Sequence, residues 1–165
     1  MNLPQRKRTR LKNYDYSQRG AYFVTICTHH REMLLSHIIV GQGLAPAESK
    51  LSEYGKIAEE QLLELENRYS KIKIDKYVIM PNHIHIIIFI KNEKIETNSV
   101  ITLSDVICAY KSLTTLFCKK KYKVEKVFQN SFHDHVIRDK KDYQRIWEYI
   151  DTNPLRWEKD CFYTE

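Results

Sequence analysis

The chain of 165 residues is 42% hydrophobic and 29% charged, which is ordinary for a soluble globular protein and predicts a single domain over residues 1–165. No apolar run approaches the ~20 residues that a membrane-spanning helix needs, so we expect no membrane partner. The basic N-terminus lacks the apolar core of a secretory signal, and four cysteines without metal-type spacing predict reduced, mostly buried thiols in a cytoplasmic protein. The formal net charge of +6 favours an anionic partner.

The first half of the chain predicts an arm, two strands and a helix. Residues 1–18 are basic and predict a mobile arm. Residues 21–28 are rich in β-branched and aromatic side chains and indicate a strand, and residues 33–40 indicate a second, short one. We expect residues 41–50 to form a loop. Over residues 51–69, apolar side chains recur every three or four positions, which predicts an amphipathic helix.

The second half begins with two apolar strands, residues 71–80 and 83–90, which are separated only by Pro81-Asn82 and therefore predict a hairpin. Thr102 and Asp105 have the spacing of a capping box and predict the start of a second long helix. We expect its buried face to consist of Leu103, Val106, Tyr110, Leu113 and Phe117.

Two further strands are predicted at residues 124–128 and 131–137, and Asp139 is expected to cap a last helix over residues 140–152. The apolar stripe of this helix is predicted to contain Tyr143, Ile146, Trp147 and Ile150. The order of elements indicates an α+β fold, in which helices pack on a mostly antiparallel sheet of the ferredoxin-like or RNA-recognition-like kind.

The second strand of the hairpin opens with His83 and His85. Side chains alternate along a strand, so both imidazoles point to the same face and Ile84 points to the other. Two neutral imidazoles on one face can hold a metal ion. From the residues alone, a metal pair and a solvated polar strand face remain equally good interpretations.

The last helix carries a second candidate. Tyr149 lies about a third of a turn from the centre of the apolar stripe, so its phenol should be partly exposed where the helix meets the sheet. Asn153 follows four residues later and therefore lies about one turn further along the same edge. A phenol and a carboxamide oxygen are thus expected to point in the same direction.

These residues resemble a known family. His83-Ile84-His85 is similar to the histidine-hydrophobe-histidine motif of the HUH single-strand DNA nucleases, and residues 148–154 resemble their single-tyrosine branch, particularly the REP-associated tyrosine transposases. The resemblance covers residues 14–157, and it is specific because several blocks occur in the same order: Tyr22-Phe23-Val24-Thr25, Met80-Pro81-Asn82-His83-Ile84-His85 and His135-Val136-Ile137-Arg138-Asp139.

The resemblance implies an HUH nuclease fold and a DNA strand cleavage and rejoining enzyme. Tyr149 would be the nucleophile that forms a 5′-phosphotyrosine, and His83 and His85 would bind divalent magnesium or manganese. Insertion-sequence members of the family complete the metal site with a glutamine four residues after the tyrosine, where this chain has the shorter Asn153. A mixed nitrogen and oxygen ligand set suits manganese somewhat better than magnesium.

The implied partner is single-stranded DNA beside a hairpin, and insertion-sequence relatives make a homodimer possible. Candidate phosphate contacts are basic residues of the arm, of the two later helices and of the connection before the last helix: Arg6, Arg8, Arg10, Lys111, Arg138 and Arg145. His133 and His135 form a second histidine-x-histidine pair of identical spacing. We expect it to serve packing, capping or DNA contact, although spacing also allows a metal site that uses both pairs.

Two other functions stay open from the sequence. A non-catalytic module on the same sheet would bind hairpin DNA or RNA without metal-dependent cleavage. A hydrolytic metallonuclease would use water as its nucleophile and would leave no covalent link between protein and DNA. Glycine-rich phosphate-binding loops and Ser-His-Asp arrangements do not occur, so nucleotide-dependent and acyl-transfer chemistry have no support.

Overall fold

The computed structural model describes residues 11, 14–40, 47–92 and 100–163. The elements in chain order are β1 (Gly20–Cys27), a 3₁₀ turn (His29–Arg31), β2 (Ser36–Ile39), β3 (Glu48–Leu51), α1 (Glu53–Arg68), β4 (Ile72–Ile79), β5 (His83–Ile90), α2 (Leu103–Tyr122), β6 (His133–Ile137), α3 (Lys140–Thr152) and a second 3₁₀ segment (Pro154–Lys159). Among the described helices, none combines the length and the apolar character needed to cross a membrane.

The main sheet has the strand order β4-β5-β1-β6, and every neighbouring pair is antiparallel. Helix α1 connects β1 to β4 across β5, and α2 connects β5 to β6 across β1, which is the ferredoxin-like arrangement. The predicted α+β fold is therefore confirmed. A separate two-stranded ribbon of β2 and β3 lies between β1 and α1 in the chain.

Strand β5 divides the molecule into two layers because its side chains alternate. Ile84, Ile86, Ile88 and Ile90 belong to the large core with α1 and α2. His83, His85 and Ile87 point to the other face, where Ile87 packs with Ile146 and Ile150 of α3. Strand β5 is thus covered on both faces, and all of its side chains are apolar except the two histidines.

Helices α2 and α3 start where predicted. Thr102 Oγ1 accepts a hydrogen bond from the Asp105 amide, and Asp105 Oδ2 accepts one from the Thr102 amide, which confirms the capping box. Asp139 caps α3 by accepting from the Asp142 amide, as expected. Trp147, predicted to be part of the apolar stripe of α3, is instead 37% exposed beside the Lys76 ammonium, which lies 3.9 Å from its ring centre.

Two predictions within α2 and after it are wrong. Thr114 and Cys118 are buried in place of Phe117, which is 40% exposed, and Leu113, which is only partly buried. The reason is the geometry of the helix. Residues four positions apart lie on the same face, so Thr114 and Cys118 follow Tyr110 into the core although they are less apolar than Leu113 and Phe117. Residues 124–128 form no strand, and only Phe128 makes an isolated bridge, to Thr28.

Three other expectations need correction. Glu48–Leu51 forms β3 although residues 41–50 were predicted to be a loop. Residues 14–18 were assigned to a mobile arm, but Tyr14 and Tyr16 pack against the core beside Tyr22. The four thiols were expected to be mostly buried, but only those of Cys27 and Cys118 are, because Cys108 and Cys161 are exposed. The predicted DNA contacts Arg6, Arg8 and Arg10 lie outside the described residues.

Gly55 allows the first turn of α1 to approach the chain before β2. A Cβ at this position would lie 2.0 Å from the Leu35 carbonyl oxygen, so Gly55→Ala must displace backbone. We expect this substitution to lower the free energy of unfolding by roughly 2 kcal/mol, despite the better helix propensity of alanine. Urea unfolding measures it, with Gly20→Ala as the control, because a Cβ there meets nothing closer than 3.6 Å. An unchanged unfolding midpoint for Gly55→Ala would contradict the close approach.

Candidate active site

The two histidines of β5 lie beneath α3 and are almost entirely removed from solvent. His83 is 0% exposed and His85 is 1% exposed, so the interpretation as a solvated strand face is wrong. The ring of His85 lies 5.2 Å from that of Phe23 and 5.1 Å from that of Tyr149, measured between centroids. The two imidazoles are themselves 4.4 Å apart. Because solvent does not reach these rings, each ring nitrogen needs a hydrogen-bond partner in the protein or a bound metal ion.

Asn82 determines which nitrogen of His83 carries hydrogen. The Asn82 amide nitrogen donates to the Phe162 carbonyl (2.8 Å), so its Oδ1 faces His83 Nδ1 at 2.9 Å and can only accept. His83 Nδ1 is therefore the protonated nitrogen, and Nε2 keeps its lone pair. His83 Nε2 is buried and has no hydrogen-bond partner among the described residues. This is the state of a histidine prepared to bind a metal ion.

His85 is supported in a similar way by the neighbouring strand. Its Nδ1 forms a 2.8 Å hydrogen bond with Thr25 Oγ1, and Thr25 lies directly opposite His85 in the pairing of β1 with β5. Burial lowers the pKa of His85 well below its usual range and lowers that of His83 to about 4. Both imidazoles are therefore neutral at physiological pH, as metal coordination requires.

Tyr149 meets His85 at the seam between α3 and the sheet. Its phenol oxygen lies 3.2 Å from His85 Nε2 and donates a hydrogen bond of 2.9 Å to Asp160 Oδ2. The side chain is half-buried, as its place on the flank of α3 predicts. Burial, followed by the charge of Asp160, raises the pKa of Tyr149 well above its ordinary value. The phenol is therefore protonated at rest, and two acceptors stand beside its proton.

Asn153 is brought to the same point by its position one turn after Tyr149. Its amide nitrogen donates to Asp160 Oδ2 at 2.6 Å, so this hydrogen bond does not use the amide oxygen, Oδ1. That oxygen is buried and lacks a hydrogen-bond partner among the described residues. The structure thus places two unpartnered ligand-type atoms, His83 Nε2 and Asn153 Oδ1, in one buried site.

Asp160 is the site residue that sequence reasoning missed. Ligand atoms of His83, His85 and Asp160 all lie within 4.8 Å of one another. Asp160 comes after the end of α3, and its Oδ1 accepts from the Phe162 amide in a local turn. An Asp two residues before an aromatic residue signals only such a turn, so no helical or strand periodicity could have placed this carboxylate beside the histidines.

The segment after α3 covers the histidines. Trp157 is buried with its ring 5.9 Å from that of His83, and the Phe162 ring lies 4.7 Å from the same imidazole. The guanidinium of Arg31 stacks 5.3 Å above the Phe162 ring. His30 has φ 52° and Arg31 has φ 59°, so two consecutive residues that are not glycine have left-handed backbone conformations. This strained turn directs Arg31 towards the site.

A cavity of about 700 Å³ opens beside Tyr149, between α3 and the β1–β6 edge of the sheet. Its lining is both apolar and charged and includes Phe23, His135, Arg145, Ile146, Glu148 and Arg156. A second cavity of about 480 Å³ lies on the other side of the phenol and is bounded by Tyr149, Asn153, Arg156, Lys159 and Asp160. Arg156 and Lys159 are basic residues at the site that the sequence did not single out.

The remaining predicted DNA contacts are distributed over the surface. Arg145 lines the cavity beside Tyr149. Arg138 is exposed in the turn between β6 and α3. The Lys111 ammonium donates to the carbonyls of Asn130 and Ser131 and lines a groove on α2, the helix that packs on the opposite face of the sheet. Lys111 is therefore not brought together with Tyr149.

The second histidine pair does not join the first. His135 Nε2 lies 2.6 Å from Asp142 Oδ2, and His135 lines the cavity beside Tyr149 from the outer strand β6. His133 is exposed at the start of that strand. Among the described residues, the cluster of His, Cys, Asp and Glu side chains close enough to hold a metal ion contains His83, His85 and Asp160 and neither of these.

Comparison with known proteins finds similarity in sequence and in fold. No protein-family model matches the chain. An uncharacterized protein of Haemophilus influenzae is 32% identical over 99% of this chain and 96% of its own length. A solved REP-associated tyrosine transposase bound to a REP hairpin superposes with a TM-score of 0.63 at 19% identity, over 90% of this chain and 74% of that one.

A further solved structure, of a candidate transposase from Deinococcus radiodurans R1, has a TM-score of 0.52 at 12% identity and covers 87% of this chain and 95% of its own. At these identities the two structures show the fold, and they confirm the resemblance that the sequence indicated at that level. The chain therefore belongs to the same family as the Haemophilus influenzae protein, and its fold is that of the REP-associated tyrosine transposases.

Proposed function

We propose that this protein is a metal-dependent single-strand DNA endonuclease and strand transferase of transposase type, which acts beside DNA hairpins through a 5′-phosphotyrosine. The observation that carries the proposal is the meeting of Tyr149 with His85, next to the unpartnered atoms His83 Nε2 and Asn153 Oδ1. The likeness in fold to a transposase bound to a REP hairpin supports hairpin DNA as the partner.

The residues present fit a divalent ion. His83 and His85 supply neutral nitrogens, Asn153 supplies a carboxamide oxygen, and Asp160 adds a carboxylate that the sequence did not predict. Such a mixed set of nitrogen and oxygen ligands favours manganese over magnesium, which prefers oxygen alone. A divalent ion held by these residues would supply positive charge to the phosphate and help to hold it for attack.

Tyr149 acts as the nucleophile. Its oxygen forms a bond to phosphorus as the bond to the 3′ oxygen breaks, and the phenol proton must leave because the raised pKa keeps the resting group protonated. Asp160 Oδ2 is placed to accept that proton at 2.9 Å. The departing 3′ oxygen takes up a proton and becomes a free hydroxyl, which can later attack the phosphotyrosine and rejoin a strand without ATP.

The proposed site is complete within one chain. Tyr149 of α3 reaches His85 of the same chain, so a second copy is not needed to supply the nucleophile. This supports action in cis, and a homodimer remains an additional possibility for holding two DNA ends rather than a requirement for cleavage.

The test is covalent attachment to a labelled oligonucleotide. Single-stranded DNA that contains a hairpin from the flanking genome is incubated with the protein and Mn²⁺, and products are separated in denaturing gel. We expect a protein-linked band that disappears when EDTA is added, since the histidines alone cannot neutralise the reacting phosphate. Cleavage without any adduct would favour the hydrolytic nuclease, and binding without cleavage would favour the non-catalytic module.

A further inference from the structure

We propose that the cavity beside Tyr149 binds one unpaired nucleobase, that of a nucleotide flanking the scissile phosphate, and that Phe23, His135 and Arg145 hold it. This inference rests on the proposed function, because only a phosphate at Tyr149 places a flanking base in this cavity. It also gives a role to His135, which the metal site leaves unused.

The cavity has the size and the floor that a base requires. Its volume of about 700 Å³ lies within the range of sites for small organic ligands. Phe23 and Ile146 provide an apolar floor, and the Phe23 ring stands edge-on to Tyr149 with centroids 6.1 Å apart. A flat aromatic heterocycle can stack on such a surface, whatever its sequence.

One wall of the cavity is polar and carries two ion pairs that share Asp142. Asp142 accepts from Arg145 Nη2 at 2.7 Å through Oδ1 and contacts His135 Nε2 at 2.6 Å through Oδ2. Hydrogen bonds from Arg145 and then His135 hold the pKa of Asp142 below its usual value, so this carboxylate stays ionised and accepts from both. It therefore orients the guanidinium and the imidazole together across the mouth of the cavity.

The chemistry of this wall selects a particular base edge. A guanidinium held through one nitrogen keeps further N–H donors free, and arginine pairs best with the two acceptors O6 and N7 of guanine. A second phosphate fits less well, because Phe23 and Ile146 form the floor, Glu148 lies on the rim, and Asp142 already neutralises Arg145. A neutral base with acceptors on its edge, guanine in particular, is the ligand that the cavity suits.

The experiment measures binding of hairpin oligonucleotides by fluorescence anisotropy in a Tyr149→Phe background, which prevents cleavage. Each oligonucleotide carries a different base, or an abasic residue, at the two positions that flank the scissile phosphate. We expect guanine to be preferred about tenfold at one of these positions, and the abasic residue there to weaken binding by about tenfold or more.

Three variants connect this preference to the cavity. Arg145→Gln should abolish the preference for guanine, whereas Arg138→Gln, which removes an equal charge outside the cavity, should weaken all oligonucleotides alike. Phe23→Leu keeps an apolar side chain beside His85 and removes the stacking ring, so the abasic substitution should weaken its binding less than it weakens that of the parent protein. Equal affinity for every base and for the abasic residue in the parent protein would overturn the proposal, as would an unchanged preference in Arg145→Gln.

This result is separable from the test of the proposed function. A protein that forms the covalent adduct equally with all flanking bases retains its function and lacks the base pocket. A protein that discriminates among bases through Arg145 but never forms an adduct has the pocket and lacks the strand-transfer activity.

Discussion

Replacement of Tyr149 with phenylalanine is expected to reduce covalent attachment to single-stranded DNA by about a thousandfold or more, which is the order of loss seen when an enzyme loses its nucleophile. The phenol oxygen is the atom at 3.2 Å from His85 Nε2, and no other oxygen of α3 replaces it there. DNA binding should persist, because the phenylalanine ring can keep the packing of Tyr149 against Phe23 and His85. The measurement is the yield of protein-linked oligonucleotide in Mn²⁺, together with anisotropy for binding.

Tyr143→Phe is the matched control for this variant. Tyr143 lies on the same helix, and its hydroxyl donates to Asp75, away from the histidines. It should form the adduct as the parent protein does. An adduct that persists in Tyr149→Phe and disappears in Tyr143→Phe would show that Tyr143, and not Tyr149, is the nucleophile.

Replacement of His83 with alanine is expected to weaken Mn²⁺ binding by roughly a hundredfold or more, because even residues behind the ligands of metal sites contribute ten- to a hundredfold. Its Nε2 is the buried, unpartnered nitrogen of the site, and no other imidazole of the described residues belongs to the cluster with His85 and Asp160. Titration calorimetry of the protein without DNA measures the affinity directly and does not depend on activity.

Two further variants keep this test decisive. His83→Leu retains most of the volume of the buried side chain and offers no metal ligand, so it separates loss of a ligand from a cavity in the core. His135→Ala removes a histidine from the second histidine-x-histidine pair and should leave Mn²⁺ affinity unchanged, since His135 bonds to Asp142 outside the metal cluster. Equal Mn²⁺ affinity in the parent protein and His83→Leu would remove His83 from the site.

Local periodicity accounts for what the sequence could predict. Alternation along β5 placed His83 and His85 on one face, and the helical repeat of α3 placed Tyr149 and Asn153 on one edge, because both patterns depend only on a few consecutive residues. The same reasoning fails where contacts cross the chain. Asp160 reaches the histidines through an irregular turn, so no period in the sequence points to it.

The errors have a similar origin. Phe117 was assigned to the core because it is apolar, yet the buried row of α2 passes through Thr114 and Cys118. Lys111 was grouped with Arg145 because both are basic, and the sheet separates the two helices that carry them. Composition and spacing identify candidates, and only the packing of the layers decides which of them face the same space.

The two hydrogen bonds of Asn82 tie the placement of one proton to a distant part of the chain. Its amide can present Oδ1 to His83 because its nitrogen is held by the Phe162 carbonyl, 80 residues further along the sequence. Without that carbonyl, the Asn82 amide could rotate by about 180° and present its NH₂ group to His83 Nδ1. The proton of His83 would then move to Nε2, and Nδ1 would become the nitrogen with the free lone pair. The backbone at Phe162 thus helps to choose the tautomer of an imidazole whose nitrogens it does not itself bond.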